Sequence, residues 1–89
     1  MFKAIQDNDA ELVAFYLNAG IDPNYQHPEF MALPLAESIR YGHLEIAELL
    51  LRRGAKTSIV EMESGSTALG VAQKIGNQAA ATLLEGFQS

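Results

Sequence analysis

Displaced by 34 residues, this chain lies on itself, and it does so twice. Gly42 meets Gly76 ahead and Asn8 behind. Leu35 meets Leu69 and Met1, and Ser38 meets Ala72 and Ala4. Ile46 meets Ala80 and Leu12, Leu49 meets Leu83 and Phe15, Leu50 meets Leu84 and Tyr16, and Gly54 meets Gly20. A period of this length restricts the fold more than composition does. It describes one supersecondary unit used three times, and such a unit buries its apolar face only by stacking on its neighbours. The units run from about 1 to 24, starting late, from 25 to 58 and from 59 to 89 within one domain, because 89 residues are too few for two.

Within a unit the pattern reads helix, tight turn, helix, glycine, loop. In the middle copy LPLAESIRYG is the first helix, with Pro34 at an early position where a missing N–H costs nothing. Gly42 permits a left-handed stop. GHLEIAELLLRRGA then supplies the second helix. His43 stands near its N-cap, Glu45 complements the positive end of the dipole, Arg52 and Arg53 the negative end, and Gly54 ends it. Each helix spans two to three turns and would not persist alone in water.

These residues resemble the ankyrin repeat, whose pattern runs T-P-L-H-x-A-A-x-x-G-H-x-x-I-V-x-x-L-L-x-x-G-A-D-x-N. The middle copy gives LPLAESIRYGHLEIAELLLRRGAKTS, the third TALGVAQKIGNQAAATLLEG, and the first FKAIQDNDAELVAFYLNAGIDPN, which closes on the family's ending. The resemblance implies an all-α ankyrin-repeat solenoid of three stacked helix–turn–helix units with long connecting loops. It also implies a non-catalytic module that binds another protein. Several positions depart from the pattern. Ala36 and Gly70 stand where the family has His, and Leu33 replaces the Thr, so the hydroxyl–imidazole tie at the repeat start is missing. Gln73 stands at a position the family usually buries. Gly65 holds the loop-glycine position of the second loop, but Met31 holds it in the first. A bulky residue resists positive φ, so NYQHPEFMA is not expected to form the standard tip, and Pro28 removes a donor there.

No catalytic constellation is visible. There are no cysteines, hence no thiolate, disulfide or cysteine-based zinc site. His27 and His43 lack metal-ligand spacing; His43 reads as a cap, His27 as a solvated loop residue or a partner contact. The pairs Asp7/Asp9 and Glu45/Glu48 read as solvated, whereas Glu61/Glu63 lie in a loop where they can attract a basic partner. SGST at 64–67 lacks the G-K-[ST] of a phosphate loop. Neither cofactor nor metal is expected. Six Lys and Arg against eleven Asp and Glu give a net charge of −5, the wrong balance for nucleic acid. No run of eighteen apolar residues is present for a membrane, and the acidic start MFKAIQDNDAE is not a secretory signal. A cytoplasmic location fits these features.

Transferred position by position, the family's binding face takes Tyr25, His27, Glu29, Phe30 and Met31 from the first loop. It takes Val60, Glu61, Met62 and Glu63 from the second, and Gln6, Asp7, Arg40, Tyr41, Lys74 and Ile75 from the ends of the first helices. Contiguous exposed apolar surface marks contact sites, and Tyr25 and Tyr41 are the strongest candidates. Phe30, Met31 and Val60 either join them or fold back into their loops. Lys3, Gln6, Asp7, Asp9 and Glu11 suit a polar cap at the first unit. The last helix, with Ala79, Ala80, Ala81, Leu83, Leu84 and Phe87, reads as a poor cap, a face for self-association, or the edge of a longer array.

Overall fold

The computed structural model describes residues 1–87. Six helices follow in order: α1 (Phe2–Gln6), α2 (Ala10–Asn18), α3 (Pro34–Arg40), α4 (Leu44–Arg52), α5 (Ala68–Ile75) and α6 (Gln78–Gly86). Among the described residues there is no strand; a lone antiparallel bridge joins Glu61 and Ser66. The helices pair as α1·α2, α3·α4 and α5·α6. First helices stack along the row α1–α3–α5, while α2 packs beside α4.

The period recurs in the backbone. Asn8, Gly42 and Gly76 all take positive φ, at 58°, 75° and 73°. The bond that closes each turn repeats with them: Asp9 N to Ala4 O at 2.9 Å, His43 N to Ser38 O at 2.8 Å, and Asn77 N to Ala72 O at 2.9 Å. Asparagine tolerates the left-handed region better than most residues, which is why the first unit does without the glycine. The second helices then start on Asp9, His43 and Asn77. The Asp9 and Asn77 side chains accept from Leu12 N and Ala80 N, satisfying one of the donors that a helix start leaves unpaired.

Met31 departs from what its bulk implies. It takes φ 54°, and the first loop closes as the second does. His27 N donates to Ala32 O at 3.0 Å and Met31 N to His27 O at 2.6 Å. Glu61 N donates to Ser66 O, and Gly65 N to Glu61 O, both at 2.8 Å. The expectation of a non-standard tip is therefore corrected: the loop's hydrogen bonds and its neighbour impose the left-handed conformation on Met31. A further tie, Glu63 N to Met31 O at 2.9 Å, joins the two tips directly.

The core lies between helix pairs. Ile5, Val13, Ile39, Ile46 and Leu50 are fully buried, each such side chain contributing about 1.5–3 kcal/mol of transfer free energy. Gln73, which stands in register with Ile5 and Ile39, is exposed. It lies on α5, the last of the first helices in the row, on which α3 and α6 pack among the described residues.

Left-handed backbone costs a non-glycine residue roughly 1–2 kcal/mol, part of which glycine returns through its freer unfolded chain. Met31→Gly should therefore stabilise the fold by about 0.5–1 kcal/mol. Gly65→Ala has open space around its new Cβ but φ 69°, and should destabilise by about 1 kcal/mol. Urea unfolding midpoints at unchanged slope would check both, and a Met31→Gly variant no more stable than wild type would mean that the tip is unstrained.

Candidate functional site

The side of the molecule formed by the loop tips and the ends of the first helices is organised by charge. Glu61 was a candidate for a basic partner; the structure corrects this, because its side chain has 0% exposure. One carboxylate oxygen accepts from Leu33 N–H at 3.0 Å, and the other meets Arg40 Nη2 at 2.5 Å. Arg40 also donates to Glu37, three residues back on the same helix, and lies 3.7 Å from exposed Glu63. Glu37, itself buried, accepts from Gln6 Nε2 of the first unit at 2.9 Å. One guanidinium and three carboxylates, with Gln6, thus connect all three units. No buried side-chain polar atom among the described residues lacks a hydrogen-bond partner.

Burial acts to lower the Arg40 pKa. Hydrogen bonding and charge attraction, from Glu61 first and Glu37 second, outweigh it and hold the pKa above its ordinary value. The sign follows: what these contacts contribute through Arg40 is fully present below its ordinary pKa and is lost only as pH rises through the still higher folded value. The arginine is therefore a fixed positive charge at any pH the fold meets.

The two histidines are structural. His43 Nε2 lies 3.1 Å from Gln6 O; a carbonyl only accepts, so this nitrogen carries the hydrogen. His27 Nδ1 accepts from Glu29 N at 3.1 Å and Phe30 N at 3.3 Å. Its ring stacks on Phe30 and meets the edge of Phe2. Half-buried in this way, His27 braces the first tip instead of standing free in solvent.

The remaining candidates stay on the surface. Tyr25, Phe30, Met31, Tyr41, Val60, Met62 and Ile75 are each about half exposed or more, Met62 most at 64%. The alternative in which Phe30, Met31 and Val60 fold back is not what the chain adopts. Glu29, Glu63 and Lys74 are exposed among them, and Asp7 pairs with Lys3 at 3.1 Å. Gln26 locks the tips together, donating to Val60 O at 3.2 Å and accepting from Met62 N at 2.8 Å. Tyr25, Phe30, Met31, Val60 and Met62 therefore stand on a hydrogen-bonded ridge of loops, with Tyr41 and Ile75 at the ends of α3 and α5. Sequence reasoning missed Glu37 and Gln26 as organisers of this side. The Glu37–Arg40 spacing of three on one helix face was a legible signal for the first; Gln26 carried none.

Other surface features have less chemical content. A groove of about 390 Å³ runs between α2 and α4, lined by Ala10, Ala14 and Leu49 with Glu11, Glu45 and Glu48. Glu48 is paired with Arg52 at 3.1 Å, and no nucleophile shares the groove. Among the described residues no three His, Asp or Glu converge as metal ligands, and no helix is long and apolar enough to cross a membrane.

Arg40→Met would leave the buried Glu61 carboxylate uncompensated, which should destabilise the fold by about 3 kcal/mol, the low end of such cases because the guanidinium is partly exposed. Glu61→Gln keeps an acceptor for Leu33 N–H and should cost about 1–2 kcal/mol. Urea denaturation would separate the two; an Arg40→Met loss below about 1 kcal/mol would show that solvent screens the cluster.

In comparison with known proteins, the family model for ankyrin repeats matches residues 1–88 as three copies. The chain is also similar to the 2-5A-dependent ribonuclease of Homo sapiens, 32% identical over 77 residues, covering 86% of this chain and 10% of that protein. It thus spans about a tenth of the length of that curated relative.

Proposed function

The chain belongs to the ankyrin-repeat family, and from that premise we propose that it is a non-catalytic module that binds another protein through its loop tips and the ends of its first helices. The observation that carries the reading is the ridge itself. Five large apolar side chains remain exposed on the hydrogen-bonded loops, and two more, Tyr41 and Ile75, at the ends of the first helices. Exposed apolar surface of this kind is costly unless a partner covers it, and a framework already fixed loses little further entropy on binding.

In this reading Tyr25, Phe30, Met31, Tyr41, Val60, Met62 and Ile75 provide the apolar contact. Glu29, Glu63 and Lys74 form its polar rim. His27, Arg40 and Glu61 position the surface from beneath. The partner fitting it is a protein with an apolar patch edged by basic groups, matching Glu29, Glu63 and the net charge of −5. The acidic balance does not suit nucleic acid, and a cytoplasmic setting suits a chain without cysteine. The resemblance to a ribonuclease concerns a stretch that is a tenth of that protein, and supports no nuclease activity for this chain, among whose described residues no three His, Asp or Glu converge as metal ligands.

The reading is tested by affinity capture from source lysate with wild type, a Tyr25→Ala/Tyr41→Ala/Met62→Ala variant and a Phe15→Ser control, all matched for helicity by circular dichroism. Losing hot-spot side chains costs about 2 kcal/mol or more, roughly thirtyfold in affinity. A protein held by wild type and the control but lost by the triple variant is the expected result. Equal retention by all three would place the contact elsewhere.

A further inference from the structure

The two ends of the array are chemically unlike. Some positions are buried in the first two units and exposed in the third, so they face forward along the stack. Ile5 and Leu17, then Ile39 and Leu51, are buried at these positions, while Gln73 and Glu85 follow them in the exposed third unit. The forward end therefore carries polar residues where the inner units carry aliphatic ones, as a terminal repeat requires.

The backward-facing positions show the opposite. In the second unit, whose α4 packs beside α2, Ile46, Leu50 and Ala55 are buried and Leu49 is partly buried. In the third, Ala80 and Leu84 are buried and Leu83 partly so. The same positions in the first unit are Leu12, Phe15, Tyr16 and Ile21; Tyr16 is partly buried against the core, while Leu12, Phe15 and Ile21 are left exposed by the described residues. Leu12 is 37% exposed, Ile21 42% and Phe15 63%, with the Phe15 ring meeting the edge of Tyr16. Of the polar cap expected here, Lys3 pairs with Asp7, and Asp9 and Glu11 at the start of α2 are exposed, but α2 presents Leu12 and Phe15 beside them. The last helix, in contrast, turns Ala80, Ala81 and Leu84 inward and has Arg52 lying 6.0 Å over the Phe87 ring. The exposed backward-facing aliphatic and aromatic side chains therefore belong to the first unit.

We propose that the outer face of α2 and the turn after it, formed by Leu12, Phe15 and Ile21 with the exposed part of Tyr16, is a stacking surface for one further helix pair of the same kind, whose forward face is aliphatic at the positions of Ile5 and Leu17. The occupant is set by continuity with the packing already inside the molecule, where first helices stack in a row and α2 packs beside α4: the 34-residue step that relates Ile46 to Leu12 sets Leu12 against a unit behind it. A second copy stacked in the same register does not fit, because its forward end would bring Gln73 and Glu85 against Leu12 and Phe15. This surface is separate from the ridge of loop tips, and its failure would leave that reading untouched.

The experiment places a copy of residues 35–68 ahead of residue 1, which supplies a helix pair and a loop in the period of 34. Leu12→Ser/Phe15→Ser is then made in both the native and the extended chain. The expected result is a higher melting temperature for the extended chain, and a double substitution that weakens its unfolding equilibrium by more than about tenfold beyond its effect on the native chain. In the native chain the substituted residues are exposed, so helicity should be unchanged there. Equal cost in the two backgrounds, or an extended chain less stable than the native one, would overturn the proposal. So would native dimers in sedimentation that the substitutions dissolve, because the occupant would then be a second copy.

Discussion

The buried Glu61–Arg40 pair fixes the geometry on which the loop side of this protein depends. A carboxylate taken from water is stabilised there only if each oxygen finds a strong donor, and Glu61 has one in Arg40 and another in Leu33 N–H. The two donors belong to opposite ends of α3, so the second loop is clamped along the whole length of that helix. Arg40 then reaches Glu37, and Glu37 reaches Gln6. The loop tip, the middle helix and the first unit are thereby set in one relative position. A pair of this kind adds little net stability over an apolar substitute. Its contribution is positional: a shift of the second loop would strand a charge.

This cluster also compensates for a local loss. Leu33 offers no hydroxyl and Ala36 no imidazole, so the tie that usually closes the start of the first helix is absent from the middle unit. The Glu61 carboxylate takes the Leu33 N–H instead. In the third unit Thr67 keeps its hydroxyl and accepts from Gly70 N. The same structural task is thus done locally in one unit and by the neighbouring loop in another, which makes the second loop part of the middle unit's fold.

The helices and turns were legible because each depends on residues close in sequence. Gly42 predicts a left-handed turn in the middle unit, and its register partners Asn8 and Gly76 take the same conformation. Met31 was misread for the converse reason: its backbone conformation is imposed by bonds to His27 and by Glu63 of the next loop, and its own preference is overruled. Glu61 was misread as a free loop acid because nothing nearby in sequence announces a guanidinium 21 residues away. Gln73 looked misplaced because the pattern alone does not say which units have a neighbour in front. The exposed Tyr41, Met62 and Ile75 were anticipated, since positions flanking the turns are left free by the packing pattern.

Stacked repeats are nearly one-dimensional, each unit touching only its neighbours, so extending such an array should leave distant loops unchanged. Here that independence has a limit. The backward face of the first unit is carried by α2, whereas the ridge of loop tips is tied to α1 through Gln6, both its amide on Glu37 and its carbonyl on His43. α1 and α2 share one short turn closed by Asp9 N to Ala4 O. Covering Leu12 and Phe15 would restrain α2, and through that turn restrain the anchor of the charged cluster. The end of the stack and the loop surface are thus distinct sites joined by a short rigid path.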